Sequence, residues 1–294
     1  MRALADFIMR GRTQAILVVA GGALLPMLFW LSAAAGSLVL LRRGLSDALG
    51  ILVWALLPAI GWWWFGEPRT LLVVVGALAL ALVLRTTVSW VKVLLASVLV
   101  GVVFGLVLGS LFAEPIQAVA AELHKLMPQF MGSGWEQLSA DEQAQVLGLV
   151  VPVLTGLMAS LLQIVTLLCL VLGRYWQASL YNPGGFGEEF RALRLPVLPA
   201  LLLVAGMLLG PSLGLPMLAP LCSVPLVFAG VALVHGLVAA KRLARFWLVG
   251  LYVTLVLFMQ LVYPLLMVLA IVDSLFDFRG RATRKGSGPA NGEG

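Results

Sequence analysis

The segment Leu147–Gly173 runs without a single charged side chain, and the chain repeats this pattern in a series of further long apolar runs. A helix needs roughly 20 residues to cross a hydrocarbon core, and several of these runs reach that length. The chain is 62% hydrophobic and only 11% charged, with a mean hydropathy of +1.06. A soluble domain carries about a quarter of its residues as charged groups, so this supply cannot cover a water-facing surface. The expected fold is therefore an all-α, polytopic transmembrane helix bundle. A β-barrel would show short alternating segments, and none occur.

Eight spans follow from the apolar runs: 14–41, 45–65, 71–84, 93–112, 147–173, 197–209, 215–239 and 246–272. The first run is interrupted by Gly21-Gly22 and Pro26, and the last contains Pro264. Splitting the two gives nine or ten. One long first helix would place the basic N-terminus and Arg42-Arg43 on opposite sides of the membrane. Two short segments, 14–25 and 27–41, would keep both on one side, but the first is short for an upright span. The sequence leaves both options open.

Lys and Arg gather in short links, which identifies those links as cytoplasmic and places the N-terminus inside. Residues 1–13 fit either a short interfacial helix, with Leu4, Phe7 and Ile8 on one side, or a frayed basic tail. Ala33-Ala34-Ala35 imitates a signal-peptidase site, but the run before it is long for a signal peptide and is read as a retained helix. Residues 113–145 form an acidic external loop in which Ser139 and Glu142 have capping-box spacing. Residues 14–278 make up the bundle, and residues 279–294 are expected to be a disordered basic tail.

Polar residues inside apolar runs are few: Gln163, Thr166, His235, Thr254 and Gln260. Such groups are costly in hydrocarbon and face a bundle interior or a cavity. Gln163, Gln260 and His235 are therefore candidate substrate-cavity residues, with interhelical hydrogen bonding as the competing role. Cys169 and Cys222 lie within apolar runs and read as small hydrophobes. Two glycine ladders, Gly101/Gly105/Gly109 and Gly206/Gly210/Gly214, suggest close helix packing, although Pro211 makes the end of the second a turn. No phosphate-loop, nucleophile-elbow or zinc-protease motif appears. The expectation is a non-enzymatic protein without a metal or cofactor, whose partner is the lipid bilayer rather than nucleic acid.

The densest cluster of charge, aromatics and turn residues is 174–196, RYWQASLYNPGGFGEEFRALRLP. Asn182-Pro183-Gly184-Gly185 is a turn signal. Phe186, Phe190 and Leu193 then recur on one helical face, and Glu188 and Arg191 have pairing distance. This cytoplasmic elbow is either an interfacial anchor or a docking surface. Its candidate docking residues are Asn182, Phe186, Glu188, Glu189, Phe190, Arg191 and Arg194.

The stretch NPGGF–EEFRALRLP and the terminal DSLFDFRGR resemble those of the YybS-like bacterial integral membrane proteins, a family of unknown function. That family is distantly similar to the substrate-binding S components of energy-coupling-factor transporters. The resemblance implies a bacterial inner-membrane location and a compact bundle with an outward-opening substrate cavity. It further implies docking to a membrane coupling subunit that works with ATPases. S components dock through an Ala-x-x-x-Ala pattern on their first helix. Here Gln14–Leu25 has none, and the nearest match is Ala77/Ala81 in another span. Two functional classes follow: a solute-binding or transport component, and an integral scaffold that docks partners through its cytoplasmic loops.

Overall fold

The computed structural model describes residues 2–244 and 246–278. The expected disordered tail, residues 279–294, and Arg245 lie outside the described residues. Fourteen helices follow in order among these residues, with no strand: α1 (Arg2–Arg10), α2 (Arg12–Leu24), α3 (Phe29–Arg43), α4 (Leu45–Trp64), α5 (Arg69–Thr87), α6 (Trp90–Leu111), α7 (Ala113–Met131), α8 (Ser133–Glu136), α9 (Ala140–Tyr181), α10 (Gly185–Ala192), α11 (Val197–Leu209), α12 (Leu218–Ala240), α13 (Phe246–Leu257) and α14 (Met259–Phe276). Six are long and apolar enough to cross a membrane, namely α4, α5, α6, α9, α12 and α14. The pair α10 and α11, bent by 67°, makes a seventh. The chain is a multi-pass, all-α membrane protein. The difference from eight spans arises in the runs that break into shorter helices.

The first run is a hairpin. Leu25 precedes a proline, which drives it into extended backbone, and α2 ends there with Leu25 at φ −98°, ψ 114°. The chain reverses through 25–28 and α3 packs back along α2. The Ser32 hydroxyl donates to the Val19 carbonyl at 2.7 Å, and a Cβ on Gly22 would lie 2.9 Å from the Ser32 backbone nitrogen. Arg43 reaches the Met9 carbonyl at 3.4 Å. Both basic ends are therefore on one side, as the two-segment option requires. The carbonyl of Leu24, in the unpaired last turn of α2, accepts from the Trp62 indole at 3.1 Å.

Helix α3 occupies the centre. Every residue from Ser32 to Leu41 is buried, with α2, α4, α5 and α9 packed around it. The small run Ser32-Ala33-Ala34-Ala35-Gly36-Ser37 permits this, because short side chains let helix backbones approach. At Gly173 of α9 a Cβ would lie 2.8 Å from the Ala34 carbonyl oxygen. The ladder on α6 serves the same purpose: Gly101 faces Leu221 and Gln163, Gly105 faces Met217 and Ala159, and Gly109 faces Thr155. It is an internal packing face. In the second ladder Gly214 has φ +73°, the backbone of a turn.

The last run also folds back. It breaks at Phe258, ahead of Pro264, which α14 carries inside it. Tyr252 of α13 meets His235, whereas Tyr263 of α14 meets Ser223 near the start of α12. Helix α13 therefore climbs away from the end of α12 and α14 descends beside it. α14 ends against Arg194, on the side where α1 lies.

At 42 residues α9 is about 63 Å long at 1.5 Å per residue, well beyond a bilayer's hydrocarbon thickness. Its excess projects on the side of α7 and α8, and it opens with the capping box of Ser139 and Glu142. All described Arg and Lys residues except Arg69 and Lys125 sit at the opposite, elbow end. Those two exceptions are each paired with a neighbouring carboxylate, Glu67 at 2.6 Å and Glu122 at 2.7 Å.

Candidate functional site

The turn at Asn182–Gly185 directs α10 back against the bundle. Gly184 takes φ +91°, which only glycine adopts without strain, and Gly185 donates its backbone N–H to the Asn182 carbonyl at 3.0 Å. Phe186 and Phe190 pack against the core, and Leu193 is buried, so the predicted apolar face forms. Phe186 makes edge contacts with Trp90 and Tyr175 and stacks on Phe190. Phe190 in turn meets His235, which meets Tyr252. A continuous aromatic row thus joins α6, α9, α10, α12 and α13.

The polar lock is Glu189. Its carboxylate takes both forks of the Arg174 guanidinium and accepts from the Trp90 indole at 3.3 Å. Arg174 also donates to Gln177 at 2.8 Å, and Gln177 donates to the Leu41 carbonyl at 3.3 Å. A bidentate arginine–carboxylate pair is among the stronger hydrogen-bonded contacts, and here it ties the elbow to α9 and the central α3. Arg174 carries no candidate role in the sequence reading. The signal available was its position in the same dense cluster as Glu189.

Arg194 closes the elbow from its other end. It donates to the carbonyls of Asp273 at 3.1 Å and Ser274 at 2.9 Å, and lies 3.6 Å from the Asp277 carboxylate. The elbow and the stretch from Asp273 to Asp277, separate in sequence, meet through this one side chain. Asn182, Glu188 and Arg191 are exposed on the outer surface of the elbow.

The three candidate cavity residues do not converge. Gln163 is fully buried at the α6–α9 contact, where its amide donates to the Ser97 hydroxyl at 2.9 Å and its Oε1 has no hydrogen-bond partner. His235 is half-buried beside Phe190 and Tyr252. Gln260 is exposed at the α13–α14 junction, as are its neighbours from Val256 to Leu261. None of the three lines either of two surface cavities. One, of about 540 Å³, opens between α1 and the end of α9; the other, of about 350 Å³, is an apolar groove between α5 and α6.

Gln163 acts here as an interhelical bond. Replacing it by leucine removes an acceptor that is buried without a partner, while Ser97 keeps its own bond to the Leu94 carbonyl. The expected change in stability is within about 1 kcal/mol of zero, measured by thermal unfolding in lipid nanodiscs. A loss of several kcal/mol would show that a ligand or water completes the Gln163 site.

Comparison with protein-family models, curated protein sequences and solved structures gave no match.

Proposed function

We propose that this chain is a non-enzymatic scaffold of a bacterial inner membrane, and that its cation-rich end faces the cytoplasm and docks a protein partner on the elbow. The observation that carries this reading is the immobilisation of the elbow. Arg174, Trp90, Arg194 and the aromatic row hold its inner face, while Asn182, Glu188 and Arg191 are displayed outward. A preorganised surface loses little ordering entropy on binding, and charged groups beside aromatic anchors suit a docking site. The placement of Arg and Lys supports the orientation through the positive-inside rule. The resemblance to YybS-like proteins, and through them to transporter components that dock a coupling subunit, is compatible with such a partner.

A solute-binding role keeps one feature in its favour, the buried Gln163 oxygen without a partner. Purification in native lipids separates the two readings. The scaffold reading expects a stoichiometric protein partner, with recovery lowered about tenfold or more when Glu188 and Arg191 are both replaced by alanine. A bound small molecule with no protein partner, or unchanged recovery by the double variant, overturns it.

A further inference from the structure

We propose that the cleft between α1 and the end of α9 binds the phosphate head group of an anionic membrane lipid. The cleft has a volume of about 540 Å³ and is bounded by α1 and by Leu180 and Tyr181. Its walls divide into two kinds of surface. Arg2 and Arg10 line it as cations, and Ala3, Met9 and Leu180 line it as apolar residues. The Tyr181 ring is backed by a third cation, Arg42, whose guanidinium carbon lies 4.0 Å from the ring centroid.

One carboxylate lines the cleft. Asp6 accepts from Arg10 at 3.0 and 3.1 Å, with both side chains more than half exposed. An exposed pair of this kind is weak, so a phosphate ester can take over the Arg10 fork, which matches phosphate as well as carboxylate. The charge around the cleft then favours an anion.

Position selects a lipid over a soluble anion. α9 ends at Tyr181 and α3 at Arg43, so the cleft lies where the apolar helices stop. Ala5 and Ile8 bury the inner face of α1 against the bundle, and Arg43 holds its last turn through the Met9 carbonyl. Helix α1 therefore lies fixed at the level of lipid phosphates. Basic pockets between helices at this depth are suited to anionic head groups, and the apolar lining residues receive the glycerol and first methylenes. This inference does not rest on the protein-partner reading.

The full chain, reconstituted in nanodiscs of equal phosphatidylglycerol and phosphatidylcholine and released into mild detergent, is read by native mass spectrometry. The expected result is preferential retention of one phosphatidylglycerol. Arg2→Gln and Arg10→Gln should each lower that retention about fivefold. Asp6→Asn should preserve or raise it, since it removes the competing carboxylate. If Asp6 and Arg10 were merely structural, Asp6→Asn would lower retention instead. Equal retention of the two lipids, or unchanged retention in the double variant that combines Arg2→Gln with Arg10→Gln, overturns the proposal. So does complete displacement by millimolar inorganic phosphate, which would assign the cleft to a soluble anion. Should the double variant fail to fold, the lipid ratio of the parent and the direction of the Asp6→Asn change decide the matter.

Discussion

Gly173→Ala is expected to destabilise the bundle by about 1–3 kcal/mol, although alanine is the better helix former. The new methyl would meet the backbone oxygen of Ala34 and the Cβ of Ser37, both at 2.8 Å. Neither is the free end of a flexible side chain, so α3 and α9 must separate, and the displacement passes through the enclosed core. Gly173→Leu should leave no folded protein. Gly61 in α4 is the control, because a Cβ there meets nothing within 4 Å. Gly61→Ala should be neutral or stabilising by up to about 1 kcal/mol. Thermal unfolding of the three variants in one lipid composition checks the contrast. Equal effects at Gly173 and Gly61 would mean that α3 and α9 are not in backbone contact.

The second large effect is expected at Arg174. Arg174→Met removes the partner of a carboxylate that is only about one-third exposed, at 34%, and should cost about 2–3 kcal/mol. The figure lies below that of a fully buried pair because water still reaches Glu189. Combining the change with Glu189→Leu should recover most of the loss, since no uncompensated charge then remains. Hydrogen exchange adds a local readout: amides of α10 should lose protection in the single variant before those of α9 or α12 do. Uniform loss across all helices would show that the pair supports the whole bundle rather than the elbow.

Much of this architecture was legible in the residues. Pro26 beside the Gly21-Gly22 pair marked the first break, Asn182-Pro183-Gly184-Gly185 marked the turn, and Ser139 with Glu142 marked the start of α9. Local chemistry decides those features, and local chemistry can be read along a chain. The contacts that organise the candidate site depend instead on how distant helices meet. Spacing pointed to Glu188 and Arg191 along one helix, whereas the contact that ties the elbow to α9 is between Glu189 and Arg174, 15 residues apart in the chain. Gln163 and Gln260 looked alike as polar residues in apolar runs, yet one is sealed between α6 and α9 and the other is exposed. Their difference lies in which helices surround them: α6 and α9 enclose Gln163, whereas the stretch from Val256 to Leu261 lies on the outside of the bundle.

The central position of α3 has a consequence for how the protein is made. Synthesis delivers this helix before α4, α5 and α9, the neighbours that enclose it. While it waits, its polar groups are already provided for: the Ser32 hydroxyl is bonded to Val19 in its own hairpin, and Ser37 to Ala33 one turn back. No charged side chain lies at the closed end of the hairpin, because Arg12 and Arg42-Arg43 sit together at its open end. The α2–α3 pair can thus insert as a self-satisfied unit and persist in lipid until later helices emerge. For this helix burial trails synthesis, complete only once α9 has joined α2, α4 and α5 around it.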